Sequence, residues 1–149
     1  MLNTILVALD MGESAASAQI HLSTQVIEAL QALHLRSTTQ VIFSHIVSAN
    51  QSELDVVVDR PAVDLEAFPY DRLEKQLQSY QKELPCQSKL EIGTGDPAEE
   101  IIRLANIYDA DLIVIGSRGL RGMQRILLGS VSSQIVADAP CSVLVVKPR

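Results

Sequence analysis

The most restrictive feature of the sequence is a buried strand pattern that runs directly into glycines. Leu112–Ile115 is a run of four apolar, largely β-branched residues, which is typical of a strand buried on both faces of a parallel sheet. Gly116, Gly119 and Gly122 follow at three-residue intervals. Because glycine admits positive φ angles and lets backbone N–H groups face a ligand, the pattern predicts a loop that binds an anion such as phosphate.

A second anion-binding element follows a few residues later. Gly129, Ser130 and Val131 begin a helix predicted over 130–137. The first N–H groups of a helix have no partner within it, and the positive end of its dipole attracts negative charge. Ser130 can cap this helix or donate to the anion. Two phosphate-binding elements therefore flank one loop.

The charge around this loop opposes the charge of the whole chain. Arg118, Arg121 and Arg125 are three of twelve basic residues in a protein of net charge -6 and pI near 4.9. An acidic chain with 3% aromatic residues argues against a nucleic-acid interface, which needs many cationic contacts, but a local patch suffices for a single nucleotide. Arg121 and Arg125 fit a solvated face equally well, and Arg118 is the better candidate.

Strand and helix patterns alternate along the remaining sequence. Apolar or alternating runs predict five strands, and helical spacing predicts four helices between them. This order predicts an α/β protein, a single-domain doubly wound open parallel sheet over residues 1–149. Residues 48–66 are predicted to form a long variable loop. The strands are predicted at 5–9, 41–47, 87–92, 112–115 and 142–146, and the helices at 14–34, 65–84, 97–107 and 130–137.

Gly116-x-x-Gly119, nine residues and then Gly129-Ser130 resembles the nucleotide-binding signature of the universal stress protein family, in its ATP-binding branch. Residues 5–10, 95–97 and 140–146 fit the same family in order, so that the resemblance covers nearly the whole chain apart from 48–66. It implies a Rossmann-like fold of the adenine nucleotide hydrolase type, with strand order 3-2-1-4-5.

The resemblance also implies the site and its ligand. Ser117, Arg118 and Val131 would join the glycines around the phosphates and ribose, Asp10 would contact the nucleoside directly or through a cation, and the backbone of Ile46 would recognise adenine. The ligand would be ATP with Mg²⁺, and AMP or ADP would fit the same phosphate site. The predicted set is Asp10, Ile46, Gly116, Ser117, Arg118, Gly119, Gly129, Ser130 and Val131.

Other motifs favour structural roles. Residues 93–98 imitate a dinucleotide fingerprint, but Asp96 would put a carboxylate where a pyrophosphate belongs, so we interpret the segment as a helix start. His45 lacks a second ligand at metal spacing and is interpreted as a core or strand-end histidine. The sequence contains no Gly-Lys dipeptide, and no set of nucleophile, base and orienting residue is recognisable in it. We therefore expect no catalytic residues and little or no hydrolysis.

Three functions remain open. The first is an ATP receptor in stress sensing or signalling; the second is a dimeric interaction module with a structural or vestigial nucleotide, acting through 48–66; the third is a slow ATP hydrolase. Residues 143–146 resemble the family's dimerising edge strand, which predicts a homodimer. The start of the sequence lacks a secretory signal and no run reaches membrane-span length, which predicts a cytoplasmic protein with Cys86 and Cys141 as reduced core thiols.

Overall fold

Five parallel strands form one sheet in the order β3-β2-β1-β4-β5, which confirms the predicted topology. The computed structural model describes residues 2–9, 17–47, 75, 78–116 and 130–147, with only the backbone for 17–23 and 47. The strands are β1 (Thr4–Ala8), β2 (Gln40–Val47), β3 (Gln87–Thr94), β4 (Leu112–Gly116) and β5 (Ser142–Val146).

Helices cover both faces of the sheet. The complete helices in the described ranges are α1 (Ser17–Ala32), α2 (Pro97–Ile107) and α3 (Ser130–Asp138). Residues 75 and 78–81 are also helical, within the predicted helix 65–84, so all four predicted helical regions contain helix. Crossovers on both faces of a parallel sheet make a doubly wound, Rossmann-like fold.

The central strand explains why the sequence carries uninterrupted apolar runs. Ile5 and Val7 pack into the core beneath α1, whereas Leu6 packs into the core beneath α2 and α3. All three side chains are fully buried. Since side chains alternate between the faces of a strand, a strand covered on both faces must be apolar at every position.

The start of α2 is the capped helix start that the sequence predicts at residues 93–98. The Asp96 carboxylate accepts the Glu99 N–H at 3.0 Å, and Pro97 occupies the first turn. Gly95 has a φ of +137°, which favours glycine. The interpretation of this segment as a capped helix start is therefore confirmed.

Residues with left-handed backbone follow the ends of α1 and α2. Helix α1 ends at Ala32, two residues before the end that apolar spacing predicts, because His34 has a φ of 52°. Helix α2 ends in a Schellman motif around Asp109, whose φ is 50°. There the Ala110 N–H donates to the Ala105 carbonyl at 2.9 Å.

The two cysteines lie beside the cores of the sheet, as the sequence predicts. Cys86 and Cys141 are free and half-buried, each packed against one core, and burial raises the pKa of both thiols. None of the helices in the described ranges combines the length and the apolar character that a membrane crossing needs.

Asp111 connects the beginnings of the two central strands. Its carboxylate accepts the N–H groups of Thr4 at 2.9 Å and Asn3 at 2.8 Å, and its own N–H donates to the Thr4 carbonyl at 2.8 Å. Bonds to the charged form, first from Thr4 and then from Asn3, lower the pKa of the Asp111 carboxyl. The ionised carboxylate therefore stabilises the folded state.

We expect Asp111→Asn to lower the thermal midpoint near neutral pH and to flatten the loss of stability in acid. A carboxyl whose folded pKa lies below its ordinary value of 3.8 stabilises the fold above that pH and loses the effect as pH falls through the lowered pKa. Thermal unfolding from neutral pH to about pH 3 measures this. Asp138→Asn, at an exposed position in α3, is the control. If stability falls equally steeply with acid in both variants, the Asp111 carboxylate does not stabilise the fold in this way.

Candidate functional site

The carboxyl ends of all five strands lie at one edge of the sheet because the strands are parallel. From β1 the chain proceeds outward through β2 to β3, and it then returns to the other side of β1 for β4 and β5. The order therefore reverses between β1 and β4. In open α/β sheets, ligands bind in the crevice outside the carboxyl ends at such a reversal.

Four of the nine predicted site residues are described, and they lie at this edge. Ile46 is the penultimate residue of β2, Gly116 is the last residue of β4, and Ser130 and Val131 begin α3. The structure thus gathers predicted contacts from three elements at one edge. The remaining predictions, at Asp10, Ser117, Arg118, Gly119 and Gly129, lie outside the described residues, as do Arg121, Arg125 and the segment 48–66.

Gly116 is joined to the first turn of α3 by a residue that the sequence analysis did not single out. The buried Ser132 hydroxyl donates to the Gly116 carbonyl at 3.4 Å, a weak hydrogen bond. Ser132 and Ile135 are three residues apart and both buried. A small polar residue at core spacing beside a strand end is the signal that could have identified it.

The end of β1 is fastened to β2 by three hydrogen bonds at the same edge. The Ser44 hydroxyl donates to the Val7 carbonyl at 2.9 Å, the Leu9 N–H donates to the Ser44 carbonyl at 3.0 Å, and His45 Nδ1 lies 3.0 Å from the Leu9 carbonyl oxygen. Ser44 and His45 are buried. The interpretation of His45 as a strand-end core residue is therefore confirmed.

Ile46 presents a half-buried apolar side chain beside β3. It packs against the core beneath α2 and α3, and its Cδ1 lies 3.4 Å from the point that a Cβ on Gly93 would occupy. Ile46 and Gly93 are partners in the β2–β3 register. An apolar surface at a strand end is suited to one face or edge of a base.

The pKa values that depart from their ordinary range in the described structure belong to groups that support the fold. A hydrogen bond from Arg103 to Glu100 on α2, at 2.7 Å, raises the pKa of the Arg103 guanidinium. Asp111 lies at the opposite, amino edge of the sheet. The described residues contain no group of three or more His, Cys, Asp or Glu side chains that could hold a metal ion.

The doubly wound parallel sheet, whose order reverses between β1 and β4, defines a Rossmann-like α/β class of protein. The universal stress protein family model matches residues 1–147, and the chain belongs to that family. The universal stress protein YxiE of Bacillus subtilis is 31% identical, with 99% of this chain and 100% of YxiE covered.

Two solved structures extend the comparison to the fold. The protein MJ0577 matches with a TM-score of 0.79 at 24% identity, covering 100% of this chain and 98% of MJ0577. The universal stress protein from Archaeoglobus fulgidus, solved in complex with dAMP, matches with a TM-score of 0.64 at 20% identity, covering 97% and 98%. Both likenesses support the five-stranded doubly wound fold.

We expect Ser132→Ala to be less stable than Ser133→Ala by about 0.5–1 kcal/mol of unfolding free energy. Both changes alter helix propensity equally, but Ser133 is exposed, whereas Ser132 is buried and bonds to Gly116. Urea denaturation of the two variants measures the difference. Equal stabilities would show that the Ser132 hydroxyl does not hold α3 to the end of β4.

Proposed function

We propose that this protein binds an adenine nucleotide, with ATP as the expected ligand, and acts in sensing or signalling stress in the cytoplasm. The proposal rests on the common edge at which Ile46, Gly116 and Ser130 lie. In the signature that the family resemblance implies, Ile46 contacts the adenine base, Gly116 begins the glycine loop and Ser130 begins the helix that follows it. Their convergence is what a single nucleotide requires.

The phosphates are assigned to the loop that leaves β4 and to the start of α3. Gly116 ends β4, and the Ser132 hydroxyl bonds to its carbonyl, so the end of β4 and the first turn of α3 are held together. We propose that a phosphate lies beside them. Backbone N–H groups attract the anion over a few ångströms. We propose that Ser117, Arg118, Gly119, Gly129 and Ser130 surround the phosphates, with Val131 beside the ribose.

The base is assigned to the ends of β1 and β2. Ile46 offers a half-buried apolar side chain at the end of β2, and the chain continues from Leu9 at the end of β1 into Asp10, which we propose contacts the nucleoside. The dAMP bound by the Archaeoglobus fulgidus relative is an adenine nucleotide, which supports the same class of ligand for this chain.

Mg²⁺ is proposed to arrive with the triphosphate. This ion usually keeps several waters and is held largely by phosphate oxygens in nucleotide complexes, so few protein ligands are needed. We propose that hydrolysis is slow or absent, because the sequence has neither a Gly-Lys dipeptide nor a legible nucleophile and base. A turnover assay with Mg²⁺ separates a receptor from a slow hydrolase.

A homodimer through β5 is proposed as the assembly, and the two edges of the sheet differ in a way that favours it. Edge strand β3 carries Lys89 and Glu91, whose Nζ and Oε1 atoms are 3.6 Å apart, and the Tyr108 hydroxyl donates to Glu91. Charged side chains discourage pairing along an edge. Edge strand β5 presents half-buried apolar residues from Val143 to Val146, so pairing is expected there. The alternative, an interaction module with a vestigial nucleotide, shares this dimer.

Replacing Gly119 or Gly129 by valine should reduce ATP affinity at least about hundredfold, or about 2.8 kcal/mol, because a side chain there would enter the phosphate site. Isothermal titration calorimetry measures the affinity, and circular dichroism establishes that the fold survives. The control is Ala137→Val, which places a valine at an exposed position near the other end of α3 and should leave the ATP affinity unchanged. Affinity that is unchanged in both glycine variants would remove this phosphate site.

Sedimentation velocity should find two 16.2 kDa chains in the native particle. Val143→Lys should yield a monomer, because a lysine on β5 charges the pairing edge. Ser88→Lys alters an equally half-buried position on β3 and should leave the dimer intact. A native monomer, or a dimer that only Ser88→Lys disrupts, contradicts pairing through β5.

A further inference from the structure

We propose that His45 is a positioning residue of the nucleotide site. Its imidazole bonds to the carbonyl of Leu9, the residue that follows β1, and this leaves the backbone N–H of Ile46 available to the adenine base. The inference rests on the proposed nucleotide binding and adds to it the residue that prepares the base-recognising backbone. His45 is 7% exposed, so its role is carried by contacts within the protein.

The direction of the Ile46 backbone follows from the strand ladder. The Leu9 N–H donates to the Ser44 carbonyl at 3.0 Å, so the backbone groups of Ser44 face β1. Backbone groups alternate in direction along a strand. The backbone N–H and C=O of His45 therefore face β3, and those of Ile46 face the β1 side. At the level of Ile46, β1 no longer pairs with β2, because the pairing ends at Ala8.

His45 accounts for why the ladder ends at this level. One more rung would require the Ile46 N–H to donate to the Leu9 carbonyl, but within the described residues that carbonyl is instead 3.0 Å from His45 Nδ1. A carbonyl can only accept, so Nδ1 must carry the hydrogen. The side chain thus replaces the main-chain donor and holds Leu9, the residue before Asp10, at a fixed distance from β2.

A backbone freed in this way is complementary to adenine. The base has ring-nitrogen acceptors beside the N6 amino donor, whereas guanine has a carbonyl acceptor in place of that amino group. An N–H and a C=O of Ile46 on one side of β2 can pair with an acceptor and a donor of adenine. His45 would therefore influence the preference for ATP over GTP as well as the affinity for ATP.

A contact similar to that of His45 lies at the amino edge of the sheet, away from the proposed nucleotide site. Thr39, immediately before β2 and 2% exposed, donates through Oγ1 to the Leu2 carbonyl at 3.0 Å. Both Thr39 and His45 are buried, and each bonds through its side chain to the carbonyl of a residue just outside β1. Thr39→Val removes this bond and the one that Oγ1 accepts from the Arg36 N–H at 3.3 Å. Both lie at the amino edge, so the variant reports how much a loss of stability at the start of β2 affects nucleotide binding.

The experiment compares ATP and GTP affinities by calorimetry, and stabilities in urea, for four variants and the native protein. His45→Leu should weaken ATP binding about tenfold and reduce the ATP over GTP preference. His45→Asn, whose amide nitrogen reaches the Nδ1 position, should stay within about threefold of native affinity. His45→Gln, whose amide reaches the Nε2 position instead, should resemble leucine, and Thr39→Val should bind ATP normally despite reduced stability.

The role of His45 would be overturned if His45→Leu and His45→Gln bound ATP with native affinity. It would also be overturned if Thr39→Val lost as much ATP affinity as His45→Leu. Should His45→Leu fail to fold, the comparison of asparagine with glutamine decides, since tighter binding by asparagine supports the role and equal binding contradicts it. If the native protein binds no adenine nucleotide, the proposed function fails and this inference with it. If the native protein binds ATP and the variants do not separate, only the inference fails.

Discussion

The pairing of β1 on both sides by parallel neighbours determines most of what this protein can be. Because β2 and β4 both run in the direction of β1, every connection must cross a face of the sheet, and both faces become buried. The same pairing collects the carboxyl ends of the strands at one edge. The position of the proposed site is therefore a consequence of topology, and residues far apart in the chain, such as Ile46 and Gly116, lie at the same edge.

An anion site in an acidic protein follows from the short range at which it acts. The chain has a net charge of -6, but charges more than about 8–10 Å away are largely screened at physiological salt. Backbone N–H groups at a glycine loop and a helix start contact a phosphate directly and cost no buried charge. Local geometry can therefore outweigh the total charge at the proposed site, where Arg118 is the arginine that we propose contacts the phosphates.

Local sequence patterns were sufficient for the elements of this fold but not for the contacts between them. The bounds predicted for β5 are those observed, because apolar residues and turn residues mark both ends. Strand β3 extends two residues beyond its predicted end, since Gly93 and Thr94 carry no alternating signal. Helix α1 stops before its apolar spacing does, because left-handed His34 turns the chain, and this conformation has no signature in a single sequence.

The hydrogen bonds between distant residues were beyond sequence reasoning for the same physical reason. At the carboxyl edge, the bonds from Ser132 to Gly116 and from His45 to Leu9 join residues 16 and 36 positions apart, and at the amino edge the Thr4 N–H donates to Asp111, 107 positions away. Each depends on the folded register of the sheet. The family resemblance placed Ile46, Gly116 and Ser130 in one site, and the described structure has them at one edge of the sheet. The nucleotide-binding roles of all nine site residues stay predictions.

The most direct test of the account is to follow backbone amide signals by NMR while ATP and Mg²⁺ are added to the labelled protein. The account predicts that the amides of Ile46, Gly116 and Ser130 shift together and saturate at one affinity, while those of Thr39 and Asp111 at the opposite edge do not. Saturable shifts confined to the amino edge, or no shifts at millimolar ATP, would contradict a nucleotide site at the carboxyl ends of the strands.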